Sequence, residues 1–291
     1  MSPIDNTRDT RRLLPAFAPR ILPARVLCSA RVRETDAALK IILTQFPLEV
    51  VLRGVEAPPC VLVDQPGEGA SVLFSNAPAA GLGVRTGMPL KAALAFSPDL
   101  IGVTRNVAAE ARMRTQLVQW LQWPGHDVQS GTLPDGSLDV RLVGFDGPPG
   151  ALRIAQLRRD FRALGFRATL TPTIALAQPG LEPHLGRLDP EHGAQFFSSL
   201  DLPWNLGRPR EAYLAAGRLL EELRVISEAR RAPARWVQWT LQHASGPREH
   251  LLFELDATFG IIPKLNLLIR ERLHRMSLAS PLCGVALKAG F

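Results

Sequence analysis

The segment Ser75-Asn-Ala-Pro-Ala-Ala-Gly-Leu-Gly-Val-Arg-Thr-Gly-Met-Pro-Leu-Lys-Ala-Ala-Leu-Ala-Phe-Ser-Pro-Asp-Leu100 constrains the fold more than any other stretch of the chain. Gly81, Gly83 and Gly87 break it into pieces, because glycine enters turn conformations that other residues avoid. The spacing predicts a short helix, a glycine-set turn, a second helix, and a stop at Ser97-Pro-Asp-Leu100. The same glycines do not form a GxGxxG after a strand, so no dinucleotide site is inferred.

Strand and helix patterns alternate on both sides of this segment. Leu39–Gln45 is a β-branched apolar run suited to a buried strand, and Phe46-Pro-Leu-Glu-Val-Val-Leu-Arg53 opens a helix with an early proline. Cys60–Asp64 and Ser71–Ser75, with Gln65–Gly69 between them, predict a hairpin. Met113, Leu117, Trp120 and Leu121 fall at helical spacing in Ala108–Trp123. Ser137–Val143 alternates as a strand, and Ala151–Leu164 is a helix capped by Gly165 with Arg153, Arg158, Arg159 and Arg162 outward. Arg167–Ala175 returns as a strand.

The region Pro179–Pro203 is rich in Pro, Gly and Asp, which places a boundary there. Beyond it come a helix (Pro209–Ala229), a hairpin (Arg235–Gln242 and His250–Asp256), a helix (Ile261–Arg275) and a strand (Leu282–Lys288). Trp236 and Trp239 differ by three in a strand, so one faces the core and the other faces away. The expected organisation is a basic, flexible extension over 1–36, a first domain over 37–178, a linker over 179–206 and a second domain over 207–291.

The 291 residues suffice for two or three packed units, and 46% hydrophobic with 21% charged residues is a globular composition. No apolar run approaches the roughly 20 residues a membrane span needs. Arg8, Asp9, Arg11 and Arg12 interrupt any signal-peptide core, so a cytoplasmic protein is expected. Cys28, Cys60 and Cys283 form no CxxC pair and have no histidine at ligand spacing; reduced thiols, no metal and no cofactor are expected. The net charge of +7 attracts polyanions. Most of it lies from Arg208 onward, where 13 bases stand against eight acids, a difference of +5.

Three segments carry a resemblance. Leu82-Gly-Val-Arg-Thr-Gly-Met88 with Ser97-Pro-Asp-Leu100 resembles the fingers of the Y-family (translesion) DNA polymerases, where one helix ends in "(aromatic)-G-V-x-x-G-M" and the next in "C-P-x-L". Gly136-Ser-Leu-Asp-Val-Arg-Leu-Val-Gly-Phe-Asp-Gly147, its following helix and Ala163-Leu-Gly-Phe-Arg-Ala168 resemble the palm of the ImuB-like branch, paralogues of mutagenic repair that have lost the catalytic carboxylates. The C-terminal hairpin followed by Leu267-Leu-Ile-Arg-Glu-Arg-Leu273 resembles the little finger, which in that family grips duplex DNA. The resemblance implies an α/β (α+β) fold with a palm-and-fingers core and a βαβ-type little finger.

The chain departs from that family where the chemistry sits. Two Mg²⁺ about 4 Å apart need clustered carboxylates. Where the family has Asp-x-Asp, this chain runs Leu43-Thr-Gln-Phe-Pro-Leu-Glu49. Aligned on Leu138-Asp139, the second acidic pair falls on Pro134 and Asp135. The triphosphate clamp "Y-x-x-R" falls on Ala77 and Ala80, which offer neither charge nor donor. The family's thumb is reduced to the 179–206 linker, and no clamp-binding peptide follows the last strand, which puts clamp binding in doubt.

The resemblance therefore implies a protein without catalytic residues that binds DNA or acts as a scaffold in SOS-type damage tolerance. Its DNA contacts would be Arg235, Arg248, Lys264, Arg270, Arg272 and Arg275. Its partners would be DNA, a RecA-like (ImuA-type) accessory protein and an active translesion polymerase. The rival reading is a protein–protein adaptor that touches no DNA.

Overall fold

The computed structural model describes residues 37–67, 69–122, 127–144, 150–174, 181–184, 195–255, 261–275 and 280–291. These belong to one compact unit. They form an α+β fold with three sheets and seven helices among the described residues. The expected extension over 1–36 lies outside them.

The first sheet is built from β1 (Ala37–Leu43), β5 (Asp127–Thr132), β6 (Leu138–Val143), β7 (Thr169–Ile174) and β8 (Glu182–His184), in the order β7-β1-β6-β5-β8 with every pairing antiparallel. Leu39, Ile41 and Leu43 alternate onto one face of β1 and are fully buried. They pack with Met113, Leu117 and Trp120 of α4 (Val107–Gln122) and with Phe161 of α5 (Gly150–Ala163). Trp120 meets Phe161 edge-on, with ring centroids 5.1 Å apart. Each such side chain contributes about 1.5–3 kcal/mol when it leaves water. Strand and helix order here is β1-α4-β5-β6-α5-β7, a βαββαβ unit. The expected strands and helices of this region are present, and Gly165, at φ +90°, follows α5 as its cap. Strand β5 was not expected: its Gln129, Ser130 and Gly131 carry no apolar alternation.

An insertion follows α1 (Phe46–Leu52). It consists of β2 (Cys60–Val63), β3 (Val72–Ser75), α2 (Ala77–Gly81), α3 (Leu90–Leu94) and β4 (Ile101–Thr104), with sheet order β3-β2-β4. The expected hairpin is β2–β3, and the two short helices fall where the glycines predict. The Asn76 side chain accepts from the Ala79 N–H at 3.0 Å and caps α2. Strand β4, parallel to β2, is a four-residue run too short to stand out in the sequence.

The third sheet, in the order β11-β10-β12-β9, comprises β9 (Gln195–Leu206), β10 (Trp236–His243), β11 (Glu249–Glu254) and β12 (Leu282–Gly290). Helices α6 (Pro209–Arg230) and α7 (Ile261–Arg275) cover one face. The sequence reading of 207–291 lacked a strand. Residues 195–206, expected as the end of a linker, form β9, which pairs with β12 along its length apart from an irregularity between Leu282 and Gly284. Pro203 and Asp201 obscure the alternation of Phe196, Ser198 and Leu200, which face inward. The C-terminal part is thus β9-α6-β10-β11-α7-β12, a second βαββαβ order with a different strand arrangement.

Helix α6 ties the two parts together. Its Leu219, Leu220 and Leu223 lie in the C-terminal core, while Val225 is buried in the core of the first sheet. Arg53, just past α1, donates to Glu222 of α6 at 2.6 Å and to the Ser199 carbonyl at 3.1 Å. Ser198 Oγ donates to the other Glu222 oxygen at 2.6 Å.

Candidate functional site

Three places were marked by the sequence: the end of β1, the α2 positions, and the basic residues of the C-terminal part. At the end of β1 the chain turns through Thr44 and Gln45 into α1, where Pro47 occupies an early helical position. The β5–β6 turn lies against it. Ser137 Oγ donates to the Thr44 carbonyl at 3.2 Å. Asp135 accepts from the Ser137 N–H at 2.9 Å, which fixes the turn. Gly136 fits this turn because its φ of +86° lies in a region that L side chains rarely adopt.

The carboxylates nearby each have a cationic neighbour. Glu110 of α4 binds Arg105 through two contacts of 2.8 Å, and this bond raises the Arg105 pKa. Asp139, buried on β6, lies 3.6 Å from Lys40 and 3.8 Å from Arg141. Among the described residues, no three His, Cys, Asp or Glu side chains come together in a way that could hold a metal ion. Ala77 and Ala80 are exposed on α2 and present methyl groups.

All six expected DNA-contacting residues are exposed, but they do not form one patch. Lys264, Arg272 and Arg275 share a stripe of α7 with Leu268, at i, i+8, i+11 and i+4, while Leu265, Ile269 and Leu273 point into the core. Arg270 lies off this stripe, with its guanidinium 5.9 Å from the Tyr213 ring on α6. Arg235 precedes β10, and Arg248 immediately precedes Glu249, which pairs with Leu241, so the length of β10 holds them about 23 Å apart. The face of this sheet not covered by α6 and α7 carries Trp236, with Lys288 5.9 Å from its ring. Trp239 is the core residue, edge-on to Phe253 at 5.8 Å.

One site escaped the sequence reading. Glu49, Arg53, Asn76, Gly165, Arg167 and Arg218 line a cavity of about 280 Å³ between α1, the α5–β7 connection and α6. Glu49 Oε1 accepts from the Arg167 N–H at 3.1 Å, while Oε2 is buried without a partner. Burial pushes the Glu49 carboxyl up to about 7, against the lowering effect of the Arg167 N–H and charge. Burial also lowers the pKa of Arg53 and Arg218, in each case against the pull of Glu222. The Glu49/Arg53 spacing of four on a helix was visible in the sequence, but it reads as an ordinary surface pair.

The architecture is an α+β chain of two βαββαβ parts with a three-stranded insertion in the first. Residues 45–141, which span α1, the insertion, α4 and most of the β5–β6 hairpin, match the model of the impB/mucB/samB (IMS) family, so this segment is similar to that family. No curated protein is significantly similar in sequence. Similar solved structures include a Y-family DNA polymerase chimera of Dbh and Dpo4, at 11% identity and a TM-score of 0.38. DinB from Sulfolobus solfataricus and an insertion ternary complex of Dbh DNA polymerase both stand at 13% identity and a TM-score of 0.38. Each match covers 87% of this chain and 98% of the other.

Proposed function

We propose that this protein is a Y-family-like, ImuB-type component of DNA damage tolerance that binds DNA or scaffolds its partners without synthesising DNA. Residues 37–178 serve as the palm and fingers, and residues 207–291 together with β9 as a little finger. The observation that carries the reading is the end of β1. The run Leu43–Glu49, where the resemblance places an Asp-x-Asp, holds no aspartate, and the facing turn offers Asp135, already accepting from the Ser137 N–H. Phosphoryl transfer needs metals and cations to neutralise its transition state, and these positions supply no ligands for them.

DNA would be met by Arg235, Arg248, Lys264, Arg270, Arg272 and Arg275. The protein would act in the cytoplasm beside a RecA-like accessory protein and an active translesion polymerase. The adaptor reading is favoured by one feature: Leu267 and Leu268 are exposed beside the basic stripe of α7.

Primer extension with Mg²⁺ or Mn²⁺ tests the loss of synthesis. No incorporation is expected, and robust, dose-dependent extension by the pure protein would overturn the proposal. Reversing Arg272 and Arg275 to glutamate separates the two readings: DNA retention is lost if α7 grips DNA, and a wild type that retains no DNA, with partner pull-down intact in the variant, identifies an adaptor.

A further inference from the structure

The cavity between α1 and α6 gathers an unusual share of unsatisfied polar atoms. Glu49 Oε2, Arg53 Nε and Arg218 Nε are all buried without hydrogen-bond partners, and all three residues line it. Buried polar groups are as a rule paired with protein, water or ligand, so a cluster of orphans around an open volume marks a place for a polar guest. The walls are held apart at Gly165. This residue sits at φ +90°, and a Cβ there would lie 2.9 Å from Arg53 Cβ and 3.4 Å from Arg218 Nε.

The charge pattern says what kind of guest fits. The acids next to the arginines are already committed: Glu222 to Arg53 and Ser198, and Glu221 to Arg224. Arg218 spends one terminal nitrogen on the Arg162 and Ala163 carbonyls at the end of α5. Arg167 is exposed at the rim, with Glu49 as its acidic neighbour. The titratable and charged groups that line the cavity with Glu49 are Arg53 and the exposed Glu56 after α1, Arg167 before β7 and Arg218 on α6. With the Glu49 carboxyl protonated, the cavity is a set of cationic donors plus one O–H donor.

We propose that this cavity binds a single small tetrahedral oxyanion, free phosphate or the phosphate of a small phosphomonoester, held by Arg218 and Arg167 and by a protonated Glu49. Guanidinium groups suit such anions because they give charge-assisted hydrogen bonds in a fixed fork. Glu49 accepts a proton as the anion enters, so binding is coupled to proton uptake. The Glu49 carboxyl titrates at about 7 in the empty cavity, and an adjacent anion raises it further. Affinity is therefore greatest when Glu49 is protonated and falls as pH rises through that value.

Calorimetric titration of the whole protein with sulfate tests this, since sulfate keeps one charge throughout the range while phosphate does not. A single saturable site is expected, weakening by up to about tenfold per pH unit above about pH 7. Glu49→Gln should still bind sulfate but lose the pH dependence, because its amide donates at every pH. Arg218→Gln should weaken binding at least about tenfold, the loss of one charged hydrogen bond. Arg167→Gln, at the exposed rim, gives the same test should the Arg218 variant fail to fold. A nucleoside monophosphate binding more tightly than sulfate identifies an esterified phosphate as the guest; equal binding identifies the free ion. Absence of saturable binding at any pH leaves water as the occupant and overturns the proposal. So does wild-type affinity in the arginine variants, or a pH slope that survives Glu49→Gln.

Discussion

Arg53 Nη1 and Glu222 Oε1 lie 2.6 Å apart with both side chains almost wholly buried, and this contact joins the residue that follows α1 to the long helix α6. Glu222→Ala leaves the guanidinium buried and unpaired. It should lower stability by about 3–5 kcal/mol, read from urea unfolding. Replacing both partners, Arg53→Met with Glu222→Leu, should lose much less, because no charge is then stranded in the interior.

Glu49 gives a pH signature of the opposite sign to an ordinary paired carboxylate. Its folded pKa is raised to about 7 from 4.5, so the folded chain holds more protons than the unfolded one between those values. This group's contribution is complete below the unfolded pKa and is lost as pH rises through about 7. Stability profiles of the wild type and Glu49→Gln should diverge across that window, with the variant the flatter of the two. Identical profiles would show that Glu49 is not perturbed.

Gly165→Ala combines an unfavourable backbone angle with a close approach to Arg53. It should destabilise by about 1–3 kcal/mol, seen as a lower Tm. Glycines in open turns, such as Gly246 with nothing within 4 Å of a built Cβ, should give smaller losses from backbone strain alone.

If α7 tracks a phosphate backbone, Arg272→Glu with Arg275→Glu should cut the salt dependence of DNA binding, lowering the slope of log K against log salt by about 2. Arg270→Ala should weaken binding less, since its guanidinium lies over Tyr213. Equal salt slopes for the wild type and the double variant would remove α7 from the interface.

Most of the architecture could be read from the chain, because its long elements carry strong periodicity. The span Ile261–Arg275 of α7 was visible in its apolar spacing, and the opposite facing of Trp236 and Trp239, though not which of them is buried, followed from the two-residue alternation of a strand. Strands β5 and β9 were hidden for physical reasons. The first is paired on both sides and draws its stability from backbone bonds between polar residues, and the second holds its place despite Pro203 by breaking register near Gly284. The emptiness of the β1 end could be read as residue types alone. The cavity beside Glu49 could not, because Glu49, Gly165 and Arg218 are far apart in sequence and meet only through packing.

Strand β9 also decides where this protein can be cut. It is the only partner of β12 on that side, and it carries Ser198, which holds Glu222 in place. A fragment beginning at Gly207 would leave nine residues of β12 with bare backbone donors and acceptors along one margin, a template for pairing with a neighbouring molecule. A soluble C-terminal piece must therefore begin upstream of Gln195, and any natural proteolytic product that starts later should be found in aggregates.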